Sequence, residues 1–384
     1  RSGRYVRQHT GYNAFIPAPL PPVPEIKLEG EIQFLLSRAD RELGRLDGSI
    51  QILPNPDLFV YMYVRKEAVL SSQIEGTQSS LQDVLAAEAK IYNPERPSDT
   101  EEVINYISAM NYGLDRLDKL PVSTRLIKEI YQKLLKKGRG HKLIPGEIRK
   151  SQNWIGLVGC TLSEATFVPP PPYEISQSLS NLENFLHNNQ DLPLLVKIGL
   201  IHAQFETIHP FLDGNGRIGR LLITFLLCEQ NVLQKPVLYL SLYFKQQRQN
   251  YYDLLQSVRE HGKWEEWLIF FLKGIIAVSA QASDTIRRIQ LLRENHRELI
   301  MDTLGKSSGN GQRVLDYLFN HPLISVSDVQ KLSGTSYPAA NELVSKLVKM
   351  NILSEYTGQI RNRKFIYMAY IRIIENMDIV DSTI

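Results

Sequence analysis

Cysteine is nearly missing: the 384 residues hold only Cys160 and Cys228. Two isolated thiols exclude a disulfide framework and a cysteine-built zinc site. They suit a reducing compartment, so a cytoplasmic location is expected. Excess charge of one sign is missing too. Lys and Arg total 44 against 41 Asp and Glu, a net charge of +3, which does not mark a strongly basic nucleic-acid binder. Long apolar runs are absent: residues 269–278 are short and broken by Lys273 and Gly274, so no membrane span is expected. The opening Arg-Ser-Gly-Arg-Tyr has no apolar signal core and no starting Met, as in a trimmed chain. Internal repeats and low-complexity tails are also lacking. The length suits two or three domains, and the hydrophobic content of 43% is ordinary for a soluble protein.

Helical periodicity dominates what remains. A Pro-rich entry (Pro17, Pro19, Pro21, Pro22, Pro24) reads as extended chain. Helical patterns follow at 29–47, 57–75 and 79–91. Pro94 and Pro97 break the pattern, and Ser98 and Thr100 are candidate caps for a helix running to 117. Further helices are expected at 122–136, 173–189, 193–208, 217–231, 245–260 and 264–304. From 309 the pattern changes to helices at 312–320, 327–332 (capped by Ser327) and 337–350. Strands at 352–356 and 364–368 then flank a basic loop, 359–363. That order is similar to a winged-helix domain. Residues 309–384 carry eight Lys or Arg against seven Asp or Glu, and the presumed recognition helix has no Arg, with Lys346 and Lys349 coming late. This even charge favours protein interaction or dimerisation over DNA binding, because DNA affinity rests on many phosphate contacts.

Residues 209–220 read His-Pro-Phe-Leu-Asp-Gly-Asn-Gly-Arg-Ile-Gly-Arg and carry the chemistry. Gly214 and Gly216 permit a sharp turn and close approach of backbone N–H groups to phosphate oxygens. The apolar run after them starts a helix whose N-terminus adds free donors and partial positive charge. Arg217 and Arg220 can clamp phosphates, bidentately where geometry allows. Asp213 is a hard oxygen ligand suited to Mg²⁺ shared with phosphates. His209 is expected to titrate near neutrality and to accept a proton from a hydroxyl. Asp-Gly-Asn-Gly alone is ordinary turn chemistry, but a plain turn gives no reason for the flanking histidine, phenylalanine and paired arginines. His202, seven residues earlier, shares a helix face with His209 and reads as a satisfied core histidine in preference to a metal ligand.

The segment matches H-x-F-x-[D/E]-G-N-G-R-x-x-R at every fixed position and so resembles the Fic family, whose members typically transfer AMP from ATP to a protein hydroxyl. The resemblance implies His209 as general base and Phe211 as the loop's core anchor. It implies Asp213 as the Mg²⁺ ligand, with Gly214, Asn215, Gly216, Arg217, Ile218 and Gly219 around the phosphates and Arg220 on the γ-phosphate. Upstream, Ser71-Ser72-Gln73-Ile74-Glu75-Gly76 resembles the family's [S/T]-x-x-x-E-[G/N] inhibitory motif. Ser71 and Glu75 fall on one helix face, and the Glu75 carboxylate could pair with Arg220. Residues 149–173 resemble the family's flap, a hairpin with Ile155 near the nucleotide, whose edge could accept an extended target as an added strand; a surface hairpin without chemistry is the alternative. Tyr251-Tyr252 resembles the tyrosine pair near the adenine, with Tyr252 the ring contact. Arg259 departs from the asparagine often found at that position.

The fold class implied is mainly α, a Fic-type helical bundle with a small hairpin flap and a C-terminal winged-helix domain. The expected division is 1–97 (inhibitory region), 98–275 (catalytic domain), 276–308 (linker helix) and 309–384. The implied activity is protein adenylyltransfer, with ATP as co-substrate and Mg²⁺, on a Ser, Thr or Tyr hydroxyl of an unidentified target and on the chain itself, with pyrophosphate released. A homodimer is expected. Removal of AMP by the same site, with Glu75 orienting water, is an alternative. So is a nucleotide-responsive DNA-binding regulator.

Overall fold

The computed structural model describes residues 1–51, 53, 56–90, 99–136, 144–156, 159–188, 191–358 and 363–375, with only the backbone at residue 58. Ser98, most of the basic loop at 359–363 and part of the flap therefore lie outside the described residues. The fold is mainly helical. A short hairpin, β1 (Gly3–Arg7) and β2 (Asn13–Pro17), precedes α1 (Glu31–Gln51), α2 (Pro56–Ile74) and α3 (Leu81–Glu88). Then come α4 (Thr100–Leu117), α5 (Thr124–Leu134), α6 (Pro172–Asn188), α7 (Leu194–Ile208), α8 (Asn215–Glu229), α9 (Ser241–Gln246), α10 (Arg248–His261) and α11 (Trp264–Leu304). The hairpin lies ahead of the Pro-rich entry and was not anticipated. It forms because a second strand supplies the backbone partners, and β2 docks by the Phe15 N–H donating to the Val168 carbonyl at 2.9 Å.

Local signals set the ends of several helices. Ser80 and Asp83 form a capping box at the start of α3, and Ser123 caps α5. The centre of the bundle is α7 and α8, which are buried on nearly every side, as expected for helices that are apolar all round. α1 presents Ile32, Leu35, Ala39, Leu43, Leu46 and Ile50 as one apolar stripe and lies along α11. α11 is one continuous helix of 41 residues, so residue 276 falls within it. The helical stretch Trp264–Asn320 contains a window apolar enough to cross a membrane by length and composition, which the sequence reading did not recognise. Two-thirds of that window (67%) is buried inside this fold, so its apolar surface is already covered by protein.

The C-terminal region comprises α12 (Ser308–Asn320), β3 (Leu323–Ser325), α13 (Val326–Ser333), α14 (Tyr337–Lys349), β4 (Ser354–Glu355), β5 (Lys364–Ile366) and α15 (Met368–Glu375). Its antiparallel sheet has the order β3-β5-β4. β3 and α15 were not anticipated. The cap of α13 is Ser325, two residues earlier than expected, because its Oγ accepts the Asp328 N–H at 3.2 Å while Asp328 accepts the Ser325 N–H at 2.9 Å. Gly334 closes α13 in the left-handed region.

Candidate active site

The loop between α7 and α8 forms the site. α7 ends on His209, whose φ of 49° and ψ of 60° are left-handed, a conformation that costs a non-glycine residue about 1–2 kcal/mol. Two reciprocal hydrogen bonds close the loop: the Phe211 N–H donates to Asn215 Oδ1 at 2.9 Å, and Asn215 Nδ2 donates to the Phe211 carbonyl at 2.8 Å. Phe211 is buried and stacks on Tyr131 with ring centroids 3.8 Å apart. Gly214 turns the chain with φ of 79° and opens α8 without a side-chain cap. The first-turn N–H groups of Asn215, Gly216 and Arg217 therefore have no intrahelical partner and point out of the helix start.

Gly216 is where two motifs meet. A Cβ there would lie 2.3 Å from Glu75 Oε1 and 3.0 Å from Arg220 Nη1, so only glycine admits both groups. Arg220 Nε donates to Ser71 Oγ at 2.8 Å, and its Nη2 donates to the Ser71 carbonyl at 3.0 Å and to Glu75 Oε1 at 2.7 Å. Ser71 in the last turn of α2 and Glu75 just after it thus converge on one guanidinium. Gly76, with φ of 95°, turns the chain away just after them. Burial opposes the Glu75 charge, but Arg220 outweighs it and holds the carboxyl below its ordinary range. Arg220 keeps its proton more firmly than a free arginine because Glu75 faces it.

Arg217 is only 1% exposed, with Nη1 3.3 Å from Glu102 Oε2. Its Nε and Nη2 have no hydrogen-bond acceptor, so the side chain holds donors in reserve beside the helix start. Asp213 accepts the Gly214 N–H at 2.7 Å and lies 3.7 Å from Arg217 Nη2. Its carboxylate stays partly exposed, which fits a ligand that shares a hard cation with phosphates. No cluster of three or more His, Cys, Asp or Glu side chains could hold a metal by itself among the described residues.

His209 does not sit in an environment that keeps an ordinary histidine pKa. Burial, then the charges of Arg259 and Arg149, pull its pKa down to about 3, so the imidazole is neutral at physiological pH. Its Nδ1 faces the Glu206 carbonyl at 3.3 Å. His202 is a satisfied core residue: Nδ1 meets the Gly219 carbonyl at 3.0 Å and Nε2 meets the Tyr251 hydroxyl at 2.9 Å. Tyr251 is buried with it, whereas Tyr252 is 36% exposed and feels the charges of Glu75 and Arg220. Ile155 pairs with Phe167 in a single antiparallel bridge, the described remnant of the expected flap hairpin, with a 3₁₀ turn at Leu162–Glu164.

Three residues expected around the phosphates also build the loop or the core through their side chains or their close packing. The Asn215 side-chain amide is committed to Phe211, which leaves its backbone N–H at the helix start. Ile218 is fully buried and its N–H is bonded to the Gly214 carbonyl at 3.1 Å. Gly219 lies against Glu206 Oε1. Two residues the sequence reading passed over also shape the site. Arg149 donates from Nε to the His209 carbonyl at 3.0 Å, and buried Glu206 leaves Oε1 without a partner. A charged residue within a buried, apolar helical run was the signal available for Glu206.

Two family models cover most of this framework: Fic/DOC family N-terminal over residues 34–115 and Fic/DOC family over residues 121–227. A probable protein adenylyltransferase of Aquifex aeolicus (strain VF5) is 31% identical over 184 residues, 46% of this chain and 51% of that protein. A protein adenylyltransferase Fic of Drosophila grimshawi is 29% identical over 187 residues, 48% of this chain and 34% of that protein. The chain thus spans about half or less of these relatives' length. Among solved structures, a Fic family protein from Desulfovibrio desulfuricans G20 superposes with a TM-score of 0.59 at 17% identity, covering 89% of this chain and 97% of that one. A Fic domain containing signaling protein from Bacteroides thetaiotaomicron VPI-5482 gives 0.51 at 18% identity, covering 67% and 97%. The N-terminal segment carrying Ser71 and Glu75 and the segment carrying His209 to Arg220 each fall within a matched model, and the chain belongs to the Fic/DOC family.

Proposed function

We propose that the chain is a protein adenylyltransferase that joins the AMP of ATP to a Ser, Thr or Tyr hydroxyl of a target protein and of itself, releasing pyrophosphate. The observation that carries this reading is the placement of a neutral histidine at the end of α7 directly before the donor-rich start of α8. Its curated relatives bear the same activity in their names. Carbonyls only accept hydrogen bonds, so the Glu206 carbonyl beside Nδ1 keeps the proton there and leaves the Nε2 lone pair free. Nε2 takes the proton of the attacking hydroxyl, whose oxygen bonds to the α-phosphorus as the bond to the pyrophosphate oxygen breaks. The N–H groups of Asn215, Gly216 and Arg217, with the reserve donors of Arg217, meet the phosphate charge. Asp213 would hold Mg²⁺, which neutralises phosphate charge.

In this reading Glu75 and Ser71 occupy the guanidinium that a γ-phosphate needs, and the resting state is autoinhibited. Labelling with ATP carrying a radioactive α-phosphate tests both points. Glu75→Gly should label itself and lysate proteins at least tenfold faster than wild type, and Glu75→Gly with His209→Ala should not label at all. Labelling that survives the loss of His209 removes this reading.

The winged-helix-like C-terminal region is read as a protein-interaction or dimerisation module, supported by its even charge and the exposed Tyr337 at the start of α14. A cytoplasmic homodimer is proposed with it; light scattering that gives a monomer mass at micromolar concentration would remove the dimer.

A further inference from the structure

His209 keeps a left-handed backbone that a histidine does not adopt freely, so its surroundings must over-determine the turn. Two buried arginines hold the turn, Arg149 at the His209 carbonyl and Arg259 at the residues just before it. Arg149 donates from Nε to the His209 carbonyl at 3.0 Å, and its own backbone N–H donates to the Pro210 carbonyl at 3.0 Å. Its remaining nitrogens donate to the carbonyls of Ser151 and Pro170, at the two ends of the flap. Arg259, on α10, donates from Nη2 to the Glu206 carbonyl at 3.1 Å and from Nε to Thr207 Oγ1 at 3.3 Å. Its guanidinium lies 4.1 Å over the ring of Phe167, the residue that pairs with Ile155 across the flap. The Glu206 carbonyl held by Arg259 is also the one that faces His209 Nδ1.

We propose that Arg259, together with Arg149, is a positioning residue that locks the His209 turn to both sides of the flap, so that the base and the incoming target strand keep one register. Neither guanidinium is spent on phosphate: between them they are committed to backbone carbonyls, the Thr207 hydroxyl, the Gln256 side-chain carbonyl and the Phe167 ring. Recognition of the target, and not of the nucleotide, is what the pair controls. This inference rests on the AMP-transfer reading for its kinetic consequence, and on geometry alone for its effect on His209. The charged groups that act on His209 are Arg259 from α10, Arg149 from the flap root and Glu75 just after α2, while Glu206 on its own helix acts through its backbone carbonyl.

The test uses the full chain with Glu75→Gly as parent, adding Arg259→Gln or Arg259→Lys. Three readouts are ATP affinity by calorimetry, kcat/KM for a target against pH, and the His209 ring titration by NMR. Arg259→Gln should bind ATP within about twofold of the parent and lose roughly 10- to 100-fold in kcat/KM for the target, the scale of a small misplacement. Its His209 midpoint and the acid limb of the rate should move to higher pH, because a cation has been removed. Arg259→Lys keeps the charge and should keep the midpoint while losing rate. An unmoved midpoint in Arg259→Gln, or ATP affinity that falls as steeply as the rate, overturns the proposal. If the Arg259 variants do not fold, Arg149→Lys carries the test through the other tether: parent-like target kinetics there overturn it. A parent that does not label would sink the AMP-transfer reading, while the NMR titration still decides whether Arg259 holds His209.

Discussion

Glu206 carries a charge problem that its neighbours only partly relieve. Burial is the main cause that raises its pKa from an ordinary 4.5 to about 7, with Arg220 pulling it down and Glu75 pushing it up. Between those values the folded chain binds a proton that the unfolded chain does not, so this group's contribution to stability falls as pH rises from about 4.5 to 7. Glu206→Gln should therefore raise the melting temperature at pH 8 and lose that advantage at pH 5. Scanning calorimetry at the two pH values checks this, and an equal difference at both counts against it. The histidines run the other way. His202 and His209 stay neutral in the fold down to about 3, against an ordinary 6.5. The unfolded chain gains protons first, so stability is lost as pH falls through that window. At this scale residue types and their spacing are legible in the sequence, but the shifts come from burial and from charges on other elements, such as Arg220, Glu75, Arg149 and Arg259, which local pattern does not contain.

α2 faces two ways. One face, with Glu75 at its end, presents Ser71 and Glu75 to Arg220, and Glu67 to Tyr106 and Ser241. Another is held from outside the site. Arg65 pairs with both carboxylate oxygens of Glu88 on α3 at 2.7 Å and lies 3.3 Å over the Tyr61 ring. The next residue, Lys66, donates to the Glu375 carbonyl of α15 at 3.3 Å. Arg65→Ala should cost about 1–3 kcal/mol, the range for charge-assisted bonds in a partly buried setting. It should also raise self-labelling above wild type, though below Glu75→Gly, because α2 would hold Glu75 less firmly. Urea melts together with labelling assays measure both effects; a full stability loss with wild-type labelling would show that α2 does not depend on this anchor. The helix itself was readable from periodicity. Its second face was not, because α3 and α15 meet it only in the fold.

Across the whole molecule, α11 runs unbroken from the catalytic bundle towards the C-terminal helices, and α2 packs on α12 and α15. The three tryptophans, Trp154, Trp264 and Trp267, all lie before the C-terminal region. Urea unfolding followed by tryptophan fluorescence and by far-ultraviolet circular dichroism should therefore give coincident midpoints, since the shared helices couple both parts. An earlier dichroism transition would mean that the C-terminal region melts alone.

Sequence alone determined the helical class, because a period of 3.6 residues is a local property that survives without neighbours. It also determined the loop chemistry from His209 to Arg220 and the shared face of Ser71 and Glu75, since both lie within a few residues of chain. The Glu75–Arg220 pairing across 145 residues, which the motif resemblance implied, is made by the fold; only the tertiary structure decided that Asn215 closes its own loop and that Arg149 and Arg259 come together around the His209 turn. It also decided that β1 and β2 pair as a hairpin ahead of the extended Pro-rich entry. These depend on which segments meet and on what water is excluded where they do, and neither is encoded in the spacing of residues along one segment.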